Sequence, residues 1–452
     1  MTATGLASRS SNQNLASALR EAEERYIQAN PRSAAIHGAS KATMPGGNTR
    51  TTLYYSPFPL CIRTAEGSRV TDLDGHSYID FINEYTAGVL GHSELAVKAA
   101  LTRAIADGLT LGGPSIYEHE LAAIISSRFA SMERLRFCNS GTEANLLALA
   151  TARAVTGRPA VLMFDGAYHG SLLYFSHGAS PLNMPIPFLS APYNDIETAV
   201  TMIERHAREL AAVLVEPLQG GAGAIPADPA FMAALRETTR RNGILFIMDE
   251  VMTSRLSSSG VQGRLGIKPD MTTLGKYVGG GMTIGAFGGR ADIMERFDPS
   301  TPNALPHGGT FNNNVLAMAA GLAAFTKVLT PEAIDRMNAR GDDLRQRING
   351  LAAARGLALQ ATGMGSIFGI HFHRGPIRNG HDLDNGERGR ERAISDLKTL
   401  FQLDMIEQGH YINRRILGNL SLQTGPADLS AFLGALEEFL ENRAELIRAT
   451  VP

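Results

Sequence analysis

The stretches ILFIMD at residues 244–249 and TTLGKYVGGG at residues 272–281 decide how this chain folds. The first is an uninterrupted apolar run that ends in the carboxylate of Asp249, as expected of a strand buried on both faces. The second places Lys276 in a glycine-rich turn, 27 positions after Asp249. Together they predict a strand that delivers an acid at its tip and a later turn that presents an amine.

An acid and a lysine in this arrangement suit a pyridoxal-phosphate site. The lysine amine would form a Schiff base with the cofactor aldehyde. The aspartate would hold the pyridine nitrogen protonated, so that the ring can absorb carbanion electrons. A single lysine on a loop is by itself more often a solvated charge. The interpretation therefore depends on the other segments of the chain.

A regular alternation of segments surrounds these two stretches. Between about residues 118 and 330, helical patterns alternate with short apolar runs, the helices at 143–155 and 229–242 and the runs at 160–164, 211–215 and 244–248. This alternation predicts an α/β fold, with a parallel sheet and crossover helices. A helix should begin at Thr330-Pro331, with the threonine as N-cap, and the remaining segments predict a smaller α+β region.

Composition excludes several classes of function. The 452 residues carry a net charge of −2, with no long basic run and no Trp, so no nucleic-acid partner is expected. No apolar stretch reaches membrane-span length, and the first residues lack the apolar segment of a secretory signal. Only Cys61 and Cys138 occur, and the 12 histidines show no ligand spacing, so we expect neither a disulfide framework nor a catalytic metal. A soluble cytoplasmic protein is the expectation.

A phosphate site is indicated by Ser140-Gly141-Thr142, which follows a strand-like run and opens a helical pattern. Hydroxyls and free backbone N–H groups at a helix N-terminus bind phosphate. The alternative is an ordinary helix cap, with Ser140 as N-cap and Glu143 closing a capping box.

Other polar residues follow the predicted strands. Tyr168 could stack on a planar cofactor, or pack on the core as a loop aromatic. Glu216 places a carboxylate just beyond a buried strand, with a surface turn as the alternative. Asp249 needs a cation if it is buried, which a pyridinium nitrogen would supply, and Val251 could then lie against the ring. Thr310, in the turn at residues 307–310, could reach a phosphate, although ordinary loop chemistry also explains it.

Two arginines are candidates for binding a carboxyl group of a substrate. Arg50 lies in the loop GGNTR at residues 46–50, and Arg415 follows Arg414. Guanidinium groups bind carboxylates in bidentate fashion. Most single arginines are solvated surface charges, so residue chemistry alone supports this hypothesis only weakly.

Nine segments resemble, in order, the fold-type I pyridoxal-phosphate enzymes of the class III aminotransferase family: MPGGNTR, DLDGHSYIDF, TAGVLGHS, NSGTEAN, DGAYHG, VEPLQG, DEVM, TTLGKYVGGGMTIGAFGGR and HGGTFNNN. They cover roughly residues 40–330. The resemblance implies a large domain with a mainly parallel seven-stranded sheet and a smaller α+β domain. We expect an N-terminal segment (1–75) that contributes to the small domain, a large cofactor-binding domain (76–330) and a C-terminal small domain (331–452).

The resemblance also implies roles for single residues. Lys276 is similar to the family's Schiff-base lysine, and Asp249 to the partner of the ring nitrogen. The resemblance also implies that Ser140, Gly141 and Thr142 bind the phosphate and that Tyr168 stacks on the ring. Glu216 and Val251 are further candidate cofactor contacts because of their positions after predicted strands. Thr310 resembles the residue that reaches the phosphate from the neighbouring subunit, which implies an obligate homodimer with shared active sites.

Two branches of the family compete. TTLGKYVGGGMTIGAFGGR and DEVMT are similar to glutamate-1-semialdehyde aminomutases. The loop GGNTRTTLYYSPFPL, and SRL at residues 254–256 where aminomutases carry Gly-Phe-Arg, are closer to β-amino-acid transaminases such as the β-phenylalanine aminotransferases. In that branch carboxylate-binding arginines lie at the positions of Arg50 and Arg415, with Arg414 as a possible substitute. The resemblance implies transfer of an amino group from a β-amino acid to 2-oxoglutarate or pyruvate; the alternative is an isomerase of the aminomutase type.

Overall fold

The computed structural model describes residues 14–176, 178–384 and 388–452. Residues 1–13 lie outside the described residues. The prediction that this polar segment is not a secretory signal falls on them. The strands are β1 (Ile62–Glu66), β2 (Arg69–Asp72), β3 (Ser77–Asp80), β4 (Arg134–Cys138), β5 (Ala160–Phe164), β6 (Phe188–Ala191), β7 (Leu210–Val215), β8 (Leu218–Gln219), β9 (Ile225–Pro226), β10 (Leu245–Asp249), β11 (Met271–Gly275), β12 (Gly285–Gly289), β13 (Gln360–Met364), β14 (Ile367–His371), β15 (His410–Tyr411) and β16 (Leu417–Asn419).

The α-helices are α1 (Leu15–Ala29), α2 (Pro31–Ser40), α3 (Leu95–Asp107), α4 (Ile116–Arg128), α5 (Gly141–Thr156), α6 (Ile196–Arg205), α7 (Pro229–Arg241), α8 (Gly260–Leu265), α9 (Ala291–Met294), α10 (Val315–Lys327), α11 (Pro331–Ala354), α12 (Arg388–Glu407), α13 (Pro426–Asn442) and α14 (Ala444–Thr450). Within the described ranges no single helix is long and apolar enough to cross a membrane. Only α10 and α11 taken together pass by length and composition, and they are bent by 84°.

A seven-stranded sheet forms the centre of the fold. Its strands lie in the order β4-β12-β11-β10-β7-β5-β6. Strand β12 is antiparallel to both of its neighbours, and the other six strands run in one direction. The mainly parallel seven-stranded sheet implied by the family resemblance is therefore confirmed.

The central strands occur where unbroken apolar runs predicted them. The runs at 160–164, 211–215 and 244–248 form β5, β7 and β10, in which every residue is buried. Helices cover both faces of the sheet: α5 packs on one face, and α6 and α7 pack on the other. Strands buried on both faces need no polar alternation, which explains why the sequence shows none there.

Helix boundaries follow capping residues. The predicted start at Thr330-Pro331 is confirmed, because Thr330 Oγ1 accepts a hydrogen bond from the N–H of Ala333 at 3.2 Å and Pro331 is the first residue of α11. The helical patterns at 143–155 and 229–242 form α5 and α7. The ends of both helices differ from the predicted ends by no more than two residues.

The N-terminal and C-terminal parts of the chain meet in a second sheet, of order β1-β2-β3-β15. Here β3 pairs in parallel with β15, so that Ile79 lies opposite His410. A three-stranded antiparallel sheet, β13-β14-β16, belongs to the C-terminal part. The domain limits at residues 75 and 330 stay predictions.

Candidate active site

The predicted cofactor residues gather at one edge of the seven-stranded sheet. Parallel strands present their carboxyl ends at the same edge, and β4, β5, β7, β10 and β11 all end there. Asp249 is the last residue of β10, and the residues that follow the other four strands are Ser140, Tyr168, Glu216 and Lys276.

The carboxylate of Asp249 is buried and hydrogen-bonded on both oxygens. Its Oδ2 accepts from His169 Nδ1 and from Asn145 Nδ2, each at 2.7 Å, and its Oδ1 accepts from the N–H of Val251 at 3.0 Å. Asn145 is held in turn by Thr273, whose hydroxyl donates to Asn145 Oδ1 at 2.6 Å. Because an ionised carboxylate can accept about four hydrogen bonds, room remains for one further donor.

The charge state of Asp249 is set by His169. Burial is the largest influence on the pKa of Asp249 and would raise it, but the hydrogen bond and charge of His169 lead the contributions that hold this pKa below its ordinary value. Burial would likewise lower the pKa of His169, yet Asp249 raises it. Both shifts favour an ionised aspartate beside a protonated imidazole.

Lys276 begins a 3₁₀ turn directly after β11, with a φ of 57°. Positive φ is uncommon for a residue with a Cβ, and such conformations cluster at functional sites. Burial lowers the pKa of its amine to about 8, although the charges of Asp249 and Glu216 oppose the shift. More of this amine is therefore uncharged near neutral pH than for an ordinary lysine, as a nucleophile requires.

The N-terminus of α5 combines a helix cap with free donors. Ser140 Oγ accepts from the N–H of Glu143 at 3.1 Å, as the cap interpretation predicts. The Glu143 carboxylate accepts from the N–H of Asn139 at 2.7 Å, one residue earlier than a capping box requires. The N–H groups of Gly141 and Thr142 have no acceptor within the helix. The cap and a phosphate turn are thus compatible.

Close packing places Lys276 beside this turn. A Cβ added to Gly141 would approach Val251 Cγ1 to 2.7 Å, and one added to Gly275 would lie 3.4 Å from the backbone nitrogen of Gly141. The tip of β11, the first turn of α5 and Val251 therefore converge, and the contact is closest at Gly141. Lys276 is the residue that follows Gly275.

Tyr168 is presented by a loop that Glu216 holds. The N–H of Tyr168 donates to the buried Glu216 carboxylate at 2.9 Å, which also accepts from the N–H of Gly220 at 3.3 Å. Burial raises the pKa of Glu216 to about 7. The Tyr168 side chain is 38% exposed and packs edge-to-face on Tyr174. Part of its ring is therefore open to a planar ligand.

Thr310 lies in an exposed turn before α10. This turn is tied to the start of α5, because Asn139 Nδ2 donates to Asn312 Oδ1 at 3.0 Å. Asn312 also lies 3.2 Å from His307 Nε2. The structure thus places Thr310 on the surface, where a second molecule can reach its hydroxyl.

Arg50 and Arg415 lie far apart in the sequence, but their charges influence the pKa of the same two residues, Tyr85 and Tyr168. Burial raises the pKa of Tyr85 and of Tyr168, and the charges of both arginines oppose the rise. The guanidinium of Arg50 donates to the Glu84 carboxylate and lies 5.4 Å from the centre of the Tyr85 ring. The charges of the two predicted carboxylate-binding residues therefore both influence Tyr85 and Tyr168.

Arg415 and its neighbour Arg414 both remain candidates for the second carboxylate contact. Both side chains are exposed. The charge of Arg415 ranks among the main influences on the pKa of Tyr168, after burial and the charge of Arg50. It also lowers the pKa of Lys398, where burial is the larger cause.

Sequence reasoning missed the residues that hold Asp249. His169 stands directly after Tyr168 in DGAYHG, and its position after a strand tip is a signal that could have identified it. Asn145 is a polar residue on the inner face of α5, among the buried Ala144 and Ala148. Buried polar groups are costly unless they are paired, so that position also indicated a partner.

These residues fit pyridoxal phosphate. Asp249 is ionised and can accept one more donor, the first turn of α5 has free N–H groups, and the Lys276 amine is poised to react with an aldehyde. In the described part of the chain, the buried atoms His169 Nε2 and Gln219 Oε1 lack hydrogen-bond partners. A bound group with polar atoms would complete such a site.

Known proteins resemble this chain over most of its length. The family model described as "Aminotransferase class-III" matches residues 52–395. The β-phenylalanine transaminase of Variovorax paradoxus is 47% identical over 430 residues, which are 95% of this chain and 97% of that protein. A glutamate-1-semialdehyde 2,1-aminomutase of Exiguobacterium sibiricum is 38% identical over 368 residues, 77% of this chain and 84% of that protein.

A solved structure shows the same architecture. The crystal structure of a β-phenylalanine aminotransferase from Variovorax paradoxus superposes with a TM-score of 0.92 at 46% identity, and the match covers 95% of this chain and 98% of that one.

Proposed function

The chain belongs to the class-III aminotransferase family, and from this premise we propose that it moves the amino group of a β-amino acid, aromatic in the first instance, to 2-oxoglutarate or pyruvate. Its cofactor is pyridoxal phosphate. The observation that supports the substrate class is the pair Arg50 and Arg415. The Arg50 guanidinium lies 5.4 Å from the centre of the Tyr85 ring, and the charges of both arginines oppose the rise in the pKa of Tyr85 that burial causes. The 47% identity to a β-phenylalanine transaminase supports an aromatic donor.

The reacting groups have separate tasks. When bound, pyridoxal phosphate supplies an electron sink for the carbon that loses its proton. Lys276 Nζ would bind the cofactor and, once the substrate amine has displaced it, move that proton, because a pKa of about 8 suits both a base and an acid. Asp249, which His169 keeps ionised, would stabilise a proton on the ring nitrogen.

Other residues would hold the cofactor in place. The N–H groups of Gly141 and Thr142 and the hydroxyl of Ser140 would bind the phosphate. Tyr168 and Val251 would contact the ring, and Glu216 would act by fixing the loop that carries Tyr168.

Substitution of the two arginines tests the substrate class. Arg50→Met or Arg415→Met should remove a charge-assisted contact to a carboxylate, worth about 1.5–3 kcal/mol. This loss corresponds to about 10–150-fold in kcat/KM for the donor or for the acceptor. Arg414→Met is the matched comparison, since it removes an exposed neighbour of the same charge, and a loss there in place of Arg415→Met would assign the contact to Arg414. If donor and acceptor kinetics both survive both substitutions, the proposed substrate class is wrong.

A panel of donors and acceptors tests the reaction. β-Amino acids, α-amino acids and aromatic amines should each be assayed against 2-oxoglutarate and pyruvate. The expected result is turnover of β-amino acids that requires an acceptor. The 38% identity to an aminomutase favours a second candidate, intramolecular amino transfer. Conversion of an amino-aldehyde without any 2-oxo acid would establish that reaction instead.

A homodimer with shared sites is part of the proposal. Large apolar side chains are exposed around the turn that carries Thr310, namely Leu109, Leu111, Ile116 and Phe311. The loop that carries Leu109 and Leu111 lies next to the turn that carries Thr310, because Asn313 Nδ2 donates to the carbonyl of Gly113 at 3.3 Å. An apolar surface of this kind is typical of a protein interface. Light scattering of the purified protein should give twice the chain mass, and a monomeric active enzyme would contradict the proposal.

A further inference from the structure

Arg255 is a buried cation that forms no ion pair with any described carboxylate. It lies in the 3₁₀ turn Thr253–Leu256, shortly after the end of β10. Its Nη1 donates to the carbonyl of Thr86 at 3.1 Å and to Asn419 Oδ1 at 2.9 Å, and its Nη2 donates to the carbonyl of Leu420. Burial lowers the pKa of the guanidinium to about 9. A buried charge that is compensated only by dipoles is costly, so its retention needs a reason.

The carbonyl of Thr86 ends an unusual stretch of backbone. Four consecutive residues, Asn83, Glu84, Tyr85 and Thr86, have φ values of 40°, 49°, 51° and 80°. We call them the left-handed run. Side chains with a Cβ disfavour this region, and such conformations persist only where the surroundings fix them. Asn83 is fixed at the other end, because its Nδ2 donates to the carbonyl of Asn419 at 2.7 Å.

The left-handed run carries the two neighbours of Arg50. The Glu84 carboxylate pairs with the Arg50 guanidinium, and the Tyr85 ring lies beneath it. Tyr85 is anchored to the same loop as Arg50, since its hydroxyl donates to the carbonyl of Thr52 at 2.5 Å. A continuous set of contacts therefore leads from Arg255 through the run to Arg50.

We propose that Arg255 is a positioning residue for the substrate carboxylate: by holding the carbonyl of Thr86 it fixes the left-handed run, which sets Glu84 and Tyr85 against Arg50. The proposal rests on the proposed function, in which Arg50 binds a carboxylate. The turn of Arg255 follows β10, whose last residue is Asp249. The segment from β10 to the turn Thr253–Leu256 thus carries both the proposed cofactor contact, Asp249, and the proposed positioning residue, Arg255.

Two donors that differ only in the carboxylate test this role. 3-Amino-3-phenylpropanoate bears the carboxylate, and 1-phenylethylamine has the same amine and ring without it. In the holoenzyme, Arg255→Met should raise KM for the acid about tenfold while kcat and the KM for the amine change less than about twofold. Arg255→Lys, which keeps the charge, should restore part of the loss. The absorbance of the bound cofactor should be unchanged in both variants.

A buried arginine elsewhere provides the control. Arg443 is equally buried but pairs with Asp404. Arg443→Met tests general destabilisation, which should affect both donors alike. Inhibition by 3-phenylpropanoate gives a second readout that needs no turnover, and its Ki should also rise about tenfold in Arg255→Met.

If Arg255→Met does not fold, Arg255→Lys and Tyr85→Phe decide the question. Tyr85→Phe keeps the ring and releases the run from Thr52. Residues that act through one element are not additive, so the two changes should couple by at least about twofold in KM for the acid. Independent effects, equal rises for both donors, or an altered cofactor spectrum would overturn the role of Arg255. Failure of the unaltered enzyme to use any β-amino acid would instead overturn the proposed function.

Discussion

Two regions of the active site are built in opposite ways. The cofactor end consists of Asp249, His169, Asn145 and Thr273, which are buried and linked by short hydrogen bonds between strand tips and a helix. The carboxylate end consists of Arg50 with its neighbours Glu84 and Tyr85, together with Arg415, on loops and in contact with solvent.

In the proposed function, the buried residues take part in the reaction and the solvent-exposed residues recognise the substrates. Groups that must keep one charge and one position profit from burial, because the protein interior strengthens their interactions and strand tips hold them rigidly. Groups that must meet two substrates of different shape profit from loops, which tolerate variation. Removal of one partner from the Asp249–His169 pair should therefore destabilise the fold strongly, because it leaves a buried charge unpaired, and removal of one partner from the Arg50–Glu84 pair only weakly.

The largest expected effect is loss of the reacting amine. Lys276→Ala should lower turnover by at least about 10²–10⁴-fold, since it removes the proposed covalent attachment and the general base together. Borohydride reduction followed by peptide mapping should tag position 276 in the unaltered protein only. Lys268→Ala, which removes an exposed lysine paired with Glu133, is the control. Turnover within tenfold of normal in Lys276→Ala would show that the chemistry lies elsewhere.

The two ion pairs offer a direct test of the comparison. His169→Phe leaves a buried carboxylate without its cationic partner, which should lower the free energy of unfolding by about 3–5 kcal/mol. Glu84→Gln breaks an exposed pair and should cost less than about 1 kcal/mol. Urea unfolding of the apoproteins at one protein concentration measures both. Similar losses in the two variants would mean that burial does not distinguish the two ends of the site.

Burial of Lys276 predicts a pH dependence of cofactor attachment. The amine must be uncharged to react, and burial lowers its pKa from 10.5 to about 8. The uncharged fraction should therefore rise about tenfold between pH 7 and pH 9 and then level off, whereas an ordinary lysine would gain about a hundredfold. Stopped-flow absorbance after mixing apoprotein with pyridoxal phosphate follows the reaction. A rate that still climbs steeply above pH 9 would contradict the lowered pKa.

The same pH experiment can be sharpened with Asp249→Asn. The charge of Asp249 raises the pKa of Lys276, so its removal should move the midpoint to lower pH. An upward shift would show that Asp249 does not act on the amine by its charge.

Asp249 and Lys276 are predictable from the sequence because each lies at the tip of a strand. The run that ends in Asp249 and the turn of Lys276 are each visible as short patterns, and the strands formed where those patterns placed them. The partners of Asp249 were not predicted. His169 is 80 positions away and Asn145 is 104 positions away, and only the parallel sheet brings them together.

The carboxylate end was less predictable for a different reason. Residues 83–86 read Asn-Glu-Tyr-Thr, with no glycine to signal positive φ, so the left-handed run has no local sequence signal. Its conformation depends on contacts with Arg255 and Asn419, which lie far away in the sequence. The sequence gives Arg255 no sign of burial, because a charged residue is expected at the surface unless a partner is visible.

The smallest expected effect concerns Thr310, which belongs neither to the cofactor end nor to the carboxylate end of the site in its own chain. Its hydroxyl is exposed, and we propose that it donates to the cofactor phosphate in the second subunit. Thr310→Val should weaken cofactor binding by about 1 kcal/mol, or about fivefold in Kd. The dependence of activity on added pyridoxal phosphate measures the change.

Mixed dimers can locate that contact, because each subunit supplies different parts of a shared site. In a dimer of one Lys276→Ala chain and one Thr310→Val chain, only the site containing Lys276 of the second chain can react. If Thr310 acts across the interface, the first chain completes that site with an intact threonine, and cofactor affinity should be normal. If Thr310 acts within its own chain, the same site carries valine, and affinity should be about fivefold weaker. The second result would place the phosphate contact in one subunit and remove the main reason for an obligate dimer.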